Sequence, residues 1–326
     1  MRTIGTTGTV TYDLELHRAE LTGYCYRMLG STHDADDAVQ ETMVRAWQAF
    51  DRFEGRSAVR SWMYRIATNV CLDMLRSRQR RALPMDLSAP VPSTTAPVAT
   101  LPETAWIEPV PGDAALTAPG ADPVGQVVLH DTVRLAFIAA LQHLPPRQRA
   151  VLILREVLCW QAAEVAELLD TTVVSVNSAL QRARSTMASS APAEEEPTAA
   201  VAEENRELLS RYVDAFQRYD VDQLVTLLHD DASFSMPPFE MWLRGAGEIR
   251  GFWTGYGSGC QGSRLVPVVA NASPAFGQYK PSSDGTRLEP WCIQVPEITG
   301  GRISHLHHFL DTSLFPRFGL PPYLDA

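Results

Sequence analysis

The chain contains one lysine, Lys280, among 28 basic residues, so almost every cation is an arginine. Its five cysteines (Cys25, Cys71, Cys159, Cys260, Cys292) are an odd number and form no CxxC pair. That argues against a disulfide framework and a zinc knuckle and predicts buried free thiols. No apolar run approaches the roughly 18 residues that a membrane span needs. Met1 to Thr11 is Gly/Thr-rich and lacks the apolar core of a signal peptide. A cytoplasmic protein with no membrane partner is expected. What is present is ordinary globular composition, 45% hydrophobic and 20% charged over 326 residues, enough for two or three domains.

The net charge of −10 hides an uneven distribution. Residues 1–190 are nearly balanced, whereas residues 191–326 carry 10 basic and 18 acidic side chains. Residues 60–81 hold six arginines (Arg60, Arg65, Arg76, Arg78, Arg80, Arg81) against Asp73 alone, the kind of patch that meets phosphate. Two stretches break the folded pattern. Residues 82–130 contain nine prolines and no Lys or Arg and read as an extended, mobile linker; residues 188–202 read as a shorter one. The expected blocks are 12–81, 131–187 and 203–326, the first two all-α and the last α+β.

In the first block, a helix capped by Asp34 runs to about Phe50. It has Ala35, Ala38, Val39, Met43, Ala46, Trp47 and Phe50 on one side and Asp36, Asp37, Gln40 and Glu41 on the other. A second helix, 58–80, repeats apolar residues at i, i+3, i+4 and i+7 from Trp62 to Leu75. Its outward face then displays Arg60, Ser61, Tyr64, Arg65, Thr68, Asn69 and Arg76, a mixture of Arg, Asn and Tyr suited to nucleic acid. In the middle block, Pro145-Pro146 opens a helix, 161–170 forms the next, Thr171-Thr172 turns, and 173–187 forms the last. This is helix-turn-helix spacing. Val176, Leu180 and Ala183 would seat the last helix, and Val174, Ser175, Asn177, Ser178, Gln181 and Arg182 would face DNA, with Arg184 on a phosphate. Asn and Gln are the side chains that bond adenine bidentately.

The last block opens with helices (203–219, 221–229), then reads as a meander of antiparallel strands with one helix at 245–256. A curved sheet around helices leaves a concave interior. Trp242, Trp253, Phe276, Tyr279, Trp291, His305 and His307 are candidates to line it. Acid–base chemistry there would fall to His229, Asp230, Asp231, His305, His307 or His308. Along the strand at 302–310, His305 and His307 share one face and His308 the other, so the three do not form one compact metal site.

DADDAVQETMVRAW (34–47) resembles the core-polymerase-binding segment of sigma-70-family initiation factors. SWMYRIATNVCLDMLRSRQRR (61–81) resembles the segment of that family that melts promoters and reads the −10 element. Residues 144–184 resemble its −35-reading domain. The Pro-rich linker in place of a third domain points to the extracytoplasmic-function (ECF) group. The block from Glu203 onward resembles the SnoaL-like branch of the nuclear-transport-factor-2-like fold, with a cone-shaped α+β architecture.

The resemblance implies that Asp36, Asp37, Gln40 and Glu41 meet the clamp helices of the largest polymerase subunit. It implies a −10 set of Arg56, Ser57, Arg60, Ser61, Trp62, Tyr64, Arg65 and Asn69, in and beside the loop that captures a flipped base. It implies a −35 set of Ser175, Asn177, Ser178, Gln181, Arg182 and Arg184. Many relatives carry a basic residue where this chain has Asn177. The expected protein is a promoter-recognition subunit without catalysis, cofactor or metal, whose acidic C-terminal block regulates it, covers an Arg-rich stripe and takes a small ligand. The alternatives are a SnoaL-like enzyme with a DNA-binding N-terminal part and an ordinary helix-turn-helix repressor.

Overall fold

The structure is a computed structural model that describes residues 14–53, 58–76, 80–112, 132–190 and 199–325. The chain divides into two compact units: Met1–Arg81 with Ile107–Pro192, and Ala82–Trp106 with Ala193–Ala326.

The first unit is helical: α1 (Arg18–Leu29), α2 (Thr32–Ala49), α3 (Val59–Arg76), α4 (Leu135–Gln142), α5 (Pro146–Leu152), α6 (Ala162–Leu168) and α7 (Val173–Ser190). Gly30, at φ 70°, closes α1 in the left-handed conformation that glycine adopts without steric cost. The Ser31 hydroxyl accepts from the Asp34 N–H, so Ser31 rather than Asp34 caps α2. Leu21, Cys25, Met28, Ala38, Val39, Met63, Ala67 and Cys71 form the buried centre of α1–α3. Trp47 departs from its expected apolar placement: it is 56% exposed beside exposed Val44. Trp62 packs instead on Phe53 and Phe50, ring centroids 4.9 and 6.3 Å away. Cys159 is exposed and Cys260 half-buried, while the other three thiols are buried as expected.

The α4–α7 group has the helix-turn-helix spacing. α5 runs into a π-helical turn, Ile153–Val157, and Cys159 takes a left-handed φ of 56°. The chain turns sharply there and presents Trp160. Val176, Leu180 and Ala183 seat α7 on the domain.

Arg81 is not part of a phosphate-facing patch. It is buried, donating to Asp34 Oδ2 at 2.6 Å with Glu108 Oε1 3.6 Å away. Glu108 Oε2 in turn accepts from the Ser31 hydroxyl at 2.8 Å and the Thr32 N–H at 3.1 Å. Glu108 thereby shares with Asp34 the neutralisation of a buried guanidinium and caps the N-terminus of α2, where anions are favoured.

The second unit has α8 (Ala199–Arg218), α9 (Val221–Thr226), α10 (Ala246–Thr254) and one sheet. Its strands are β1 (Leu228–Ser235), β2 (Trp242–Arg244), β3 (Arg264–Ala270), β4 (Ser273–Pro281), β5 (Arg287–Thr299), β6 (Arg302–Phe309) and β7 (Leu324–Asp325), in the order β2-β1-β6-β5-β4-β3 with β7 on β5. The sheet is mixed rather than a pure antiparallel meander, because β1 pairs β6 in parallel. After β2 the chain crosses through α10 to the far edge and returns by hairpins, so β6 arrives beside β1 in the same direction. Phe234, Phe276 and Leu306 on the helix-facing side pack with Leu208, Leu209, Tyr212 and Phe216 of α8.

The proline-rich stretch is corrected as well. Its half at 82–106 belongs to the second unit, and Val91 packs against that core. Prolines remove helix-compatible donors but leave a stiff extended chain that can lie along a sheet edge.

The Asp34–Arg81–Glu108 cluster yields a stability test. Removing one partner of a buried ion cluster costs about 3–5 kcal/mol. Glu108→Ala is expected to lower the unfolding free energy by about 3 kcal/mol, read from the helical circular dichroism signal in urea; a loss below about 0.5 kcal/mol would show the cluster to be dispensable.

Candidate nucleic-acid interface

The acidic side of α2 is on the surface. Asp36, Asp37, Gln40 and Glu41 are all exposed. Asp37, Gln40 and Glu41 rim a groove of about 450 Å³, to which Val44, Val70 and Met74 contribute apolar surface. Arg45 lies across the rim with Nε 2.6 Å from Glu41 Oε1.

The −10 candidates are not on one open face. Arg56 and Ser57 lie outside the described residues. Tyr64 is fully buried. Its ring lies 5.1 Å from Trp160 and 5.2 Å from Tyr24, and its hydroxyl donates to Glu20 Oε2 at 3.4 Å. The Arg60 guanidinium sits over the Trp160 ring at 5.6 Å and donates to Glu20 Oε2 at 2.8 Å. Arg65 donates to Glu167, 3.2 Å from Oε1. Ser61 and Trp62 are half-buried and Asn69 is exposed. Helix α3 is thus sandwiched: one side meets α1 and α2, and much of the expected DNA face meets the helix-turn-helix. Arg149 fastens the same junction. It donates to the Met28 carbonyl at the end of α1 and to Gln142 and Leu144, and burial pushes its guanidinium down to about 10.

The −35 candidates are brought together. Ser175, Asn177, Gln181, Arg182 and Arg184 are exposed along α7 and Ser178 is half-exposed. Thr172 caps the helix, its hydroxyl accepting from the Ser175 N–H at 3.1 Å. Arg184 is paired to Glu156 at 2.6 Å.

In the second unit the seven pocket candidates do not line one cavity. Trp253 and Phe276 belong to the core. Tyr279 meets Phe315 edge-on at 5.2 Å, and Trp291 lies at the surface under the Lys280 ammonium, 3.8 Å from its ring centroid. Trp242 donates its indole N–H to the Ser88 carbonyl. His305 and His307 stack 5.9 Å apart, with Ser235 on His307 Nδ1 at 2.9 Å. His308 is on the opposite, helix-facing side against Phe234. Among the described residues no group of three or more His, Cys, Asp or Glu is arranged to hold a metal ion.

The deep interior is filled by neutral groups. Tyr212 donates to Gln294, Gln294 to Gln278, and Gln278 to the Ser263 hydroxyl, at 2.8, 2.8 and 3.0 Å. A groove of about 490 Å³ remains between α8 and the β3–β4 strands, lined by Asn205, Leu209, Val213, Pro267, Pro274 and Phe276 among others; of the candidates only Phe276 reaches it.

Comparison with known proteins places these units. Residues 14–81 match the Sigma-70 region 2 family, 134–187 match Sigma-70 region 4, and 209–306 match the SnoaL-like domain. The chain is 44% identical to the ECF RNA polymerase sigma factor SigG of Mycobacterium tuberculosis (strain ATCC 25618 / H37Rv), over 97% of this chain and 85% of that one. The chain belongs to the ECF RNA polymerase sigma factors. Another relative, SigJ of the same organism, is 28% identical over 90% of this chain and 89% of its own length. The crystal structure of Mycobacterium tuberculosis SigJ has the same fold, with a TM-score of 0.63 and 24% identity over 95% of this chain and 99% of that chain.

Promoter recognition for RNA polymerase is therefore the function of this sigma factor. No helix among its described residues is long and apolar enough to cross a membrane. Several residues important to its junctions and grooves carry no motif in the sequence: Glu20, Glu108, Trp160 and Glu167 on the first unit, Asn205 and Pro274 on the second. Only Trp160, at the mouth of the helix-turn-helix, carried a signal, being a tryptophan in an otherwise aliphatic segment.

The buried histidines set an acid limit on the sigma factor. Burial holds both His307 and His308 down to about 3, with His305 and His308 adding to the effect on His307. Unfolded, each would titrate near 6.5, so below that pH the unfolded chain binds more protons. Stability is complete above about pH 6.5 and falls as pH drops, by up to about 1.4 kcal/mol per unit for each histidine. His308→Gln is expected to halve roughly the slope between pH 6.5 and 5 in urea unfolding; an unchanged slope would remove His308 from this account.

Proposed function

We propose that this sigma factor engages core RNA polymerase through the groove on α2, with Asp36, Asp37, Gln40 and Glu41 meeting a basic surface of the largest subunit. Helix α3 reads and melts the −10 element, and α7 reads the −35 element. The observation that carries this is the pairing, in one unit, of an acidic groove with an open recognition helix: an ordinary repressor has no use for the former. The contacts of Tyr64, Arg60 and Arg65 with Trp160 and Glu167 support a closed free form in which the helix-turn-helix shields the −10 side of α3. Polymerase binding separates the two parts and frees that side.

The C-terminal domain, on this reading, regulates and does not catalyse, and the protein works in the cytoplasm. A cone interior occupied by the Tyr212–Gln294–Gln278 chain, with His308 held neutral beside Phe234, favours this over the cyclase or isomerase alternative. The groove at Leu209 and Phe276 is the place for a small apolar ligand. Such a ligand shifts activity only if it prefers one arrangement of the protein.

Run-off transcription with purified core polymerase, with and without the chain, tests the assignment. Replacing Asp37 and Glu41 by Arg is expected to abolish co-purification with core polymerase with the helical signal intact; unchanged co-purification would refute the role of α2.

On α7, Asn177→Ala is expected to cost about 1–3 kcal/mol and relax one −35 position in a randomised promoter library. Arg182→Ala is expected to weaken all promoters alike and reduce the salt slope by roughly 1. Unaltered sequence preference in the first variant would remove Asn177 from base reading.

A further inference from the structure

Residues 82–106 leave the first unit and return to it. On the side of the first unit, Arg81 and Glu108 lie 3.6 Å apart. On the side of the second, the Ala82 N–H donates to the Ala105 carbonyl at 2.9 Å, and Ala82 and Trp106 form a parallel bridge. The excursion begins and ends at neighbouring points, so while it is closed it adds nothing to the distance that the chain can span.

Two sets of contacts close it: at its base Glu108 is held by Ser31, Thr32 and Arg81, and between its ends the edge of the C-terminal sheet holds the excursion itself. β2 ends the strand order, and an uncovered edge strand is a template for pairing. The Val91 N–H, between Pro90 and Pro92, donates to the Trp242 carbonyl at 2.9 Å. The Trp242 indole donates to the Ser88 carbonyl at 2.8 Å. The Ser93 N–H donates to Glu248 Oε2 at 2.7 Å. Farther along, the Leu101 N–H donates to the Pro238 carbonyl and the Glu240 N–H to the Ala99 carbonyl, each at 3.1 Å. Ser93 approaches α10 so closely that a Cβ on Gly251 would lie 2.5 Å from its hydroxyl. The prolines make this docking inexpensive in entropy, since the chain is already extended when free.

We propose that the β2 edge of the C-terminal domain is a clasp for the segment joining the two promoter-reading parts, and that the clasp stores tether length. Residues 82–106 are nearly half of the chain between Arg81 and Leu135. Released from the sheet edge, and at their end from the Glu108 contacts with α2 and Arg81, they add roughly 80 Å of maximal reach at about 3.3 Å per residue. The −35 and −10 elements lie about 25 base pairs, roughly 85 Å, apart along B-form DNA, so release lets α3 and α7 reach both elements. The proposal rests on the promoter-directing reading above and gives its C-terminal domain a defined task.

Three full-length chains test it: the wild type, a short chain with 86–103 replaced by Gly-Gly, and an equal-length chain with 86–103 replaced by a Gly/Ser stretch that has no bonds to offer β2. In the free wild type, hydrogen exchange is expected to be slow at Val91, Leu101 and Glu240, and at least tenfold faster at Glu240 in the Gly/Ser chain. In run-off transcription with core polymerase, the short chain is expected to lose at least tenfold and the Gly/Ser chain to match or exceed the wild type. Rapid exchange at Val91 and Leu101 in the wild type would overturn the clasp. A short chain as active as the wild type would overturn the stored tether, and so would equal loss in both variants, which would assign the effect to the loop's sequence instead of its length. Failure of the wild type itself to direct transcription would count against the promoter-directing reading and is separate from these outcomes, because the exchange measurement needs no polymerase.

Discussion

The organisation of the first unit depends on where the Tyr64 ring goes. It is enclosed by Tyr24, Trp160 and the Arg60 guanidinium, with the buried Glu20 carboxylate receiving both Arg60 and the Tyr64 hydroxyl. An aromatic cluster of this kind contributes packing beyond its area, and the pair joins a buried Glu20 carboxylate to a half-exposed Arg60 guanidinium. The same α3 face that the family resemblance assigns to a promoter base is here a hydrophobic junction. A surface cannot serve both uses at once, so on the proposed reading the contacts that hold Trp160 on Tyr64 are ones that polymerase and DNA have to replace. Helix α7 differs: its polar row is exposed and, of the residues in it, Arg184 is the one paired to a carboxylate, Glu156 at 2.6 Å.

The C-terminal domain shows the same economy in another form. Its fold supplies a cone, but Tyr212, Gln294, Gln278 and Ser263 satisfy one another in its depth. Buried amides paired in this way specify a unique core. Of the histidines on β6, His307 is engaged by Ser235 and His305, and His308 packs on Phe234.

Much of this was legible in the sequence, for physical reasons. Helices α2, α3 and α7 announce themselves by periodicity, and Val176, Leu180 and Ala183 fall inward as their spacing requires. The exposed acidic row on α2 and the polar row on α7 follow from the same wheel. What periodicity does not show is a helix buried on two sides. A stripe argument assigns one inward face, which puts Tyr64 and Thr68 outside, although both are buried. Trp47 failed in the opposite sense: an aromatic at the edge of the stripe has no partner across it. The cavity lining was not legible because it depends on which face of β4 meets α8, and the parallel β1–β6 pair that fixes the sheet follows from a crossover with no local signature.

The proline-rich segment shows how composition can be read correctly and still mislead. Five prolines between Ala82 and Trp106 disfavour helix, and the structure has none there beyond two short 3₁₀ turns. Extension, however, is a conformation and not a degree of freedom. A chain held near the polyproline geometry loses little entropy when a sheet edge accepts its few remaining N–H groups, and Val91, flanked by prolines on both sides, presents one such group to β2 with little alternative use for it. The feature that suggested a passive spacer is therefore the feature that makes the segment a good ligand for its own C-terminal domain.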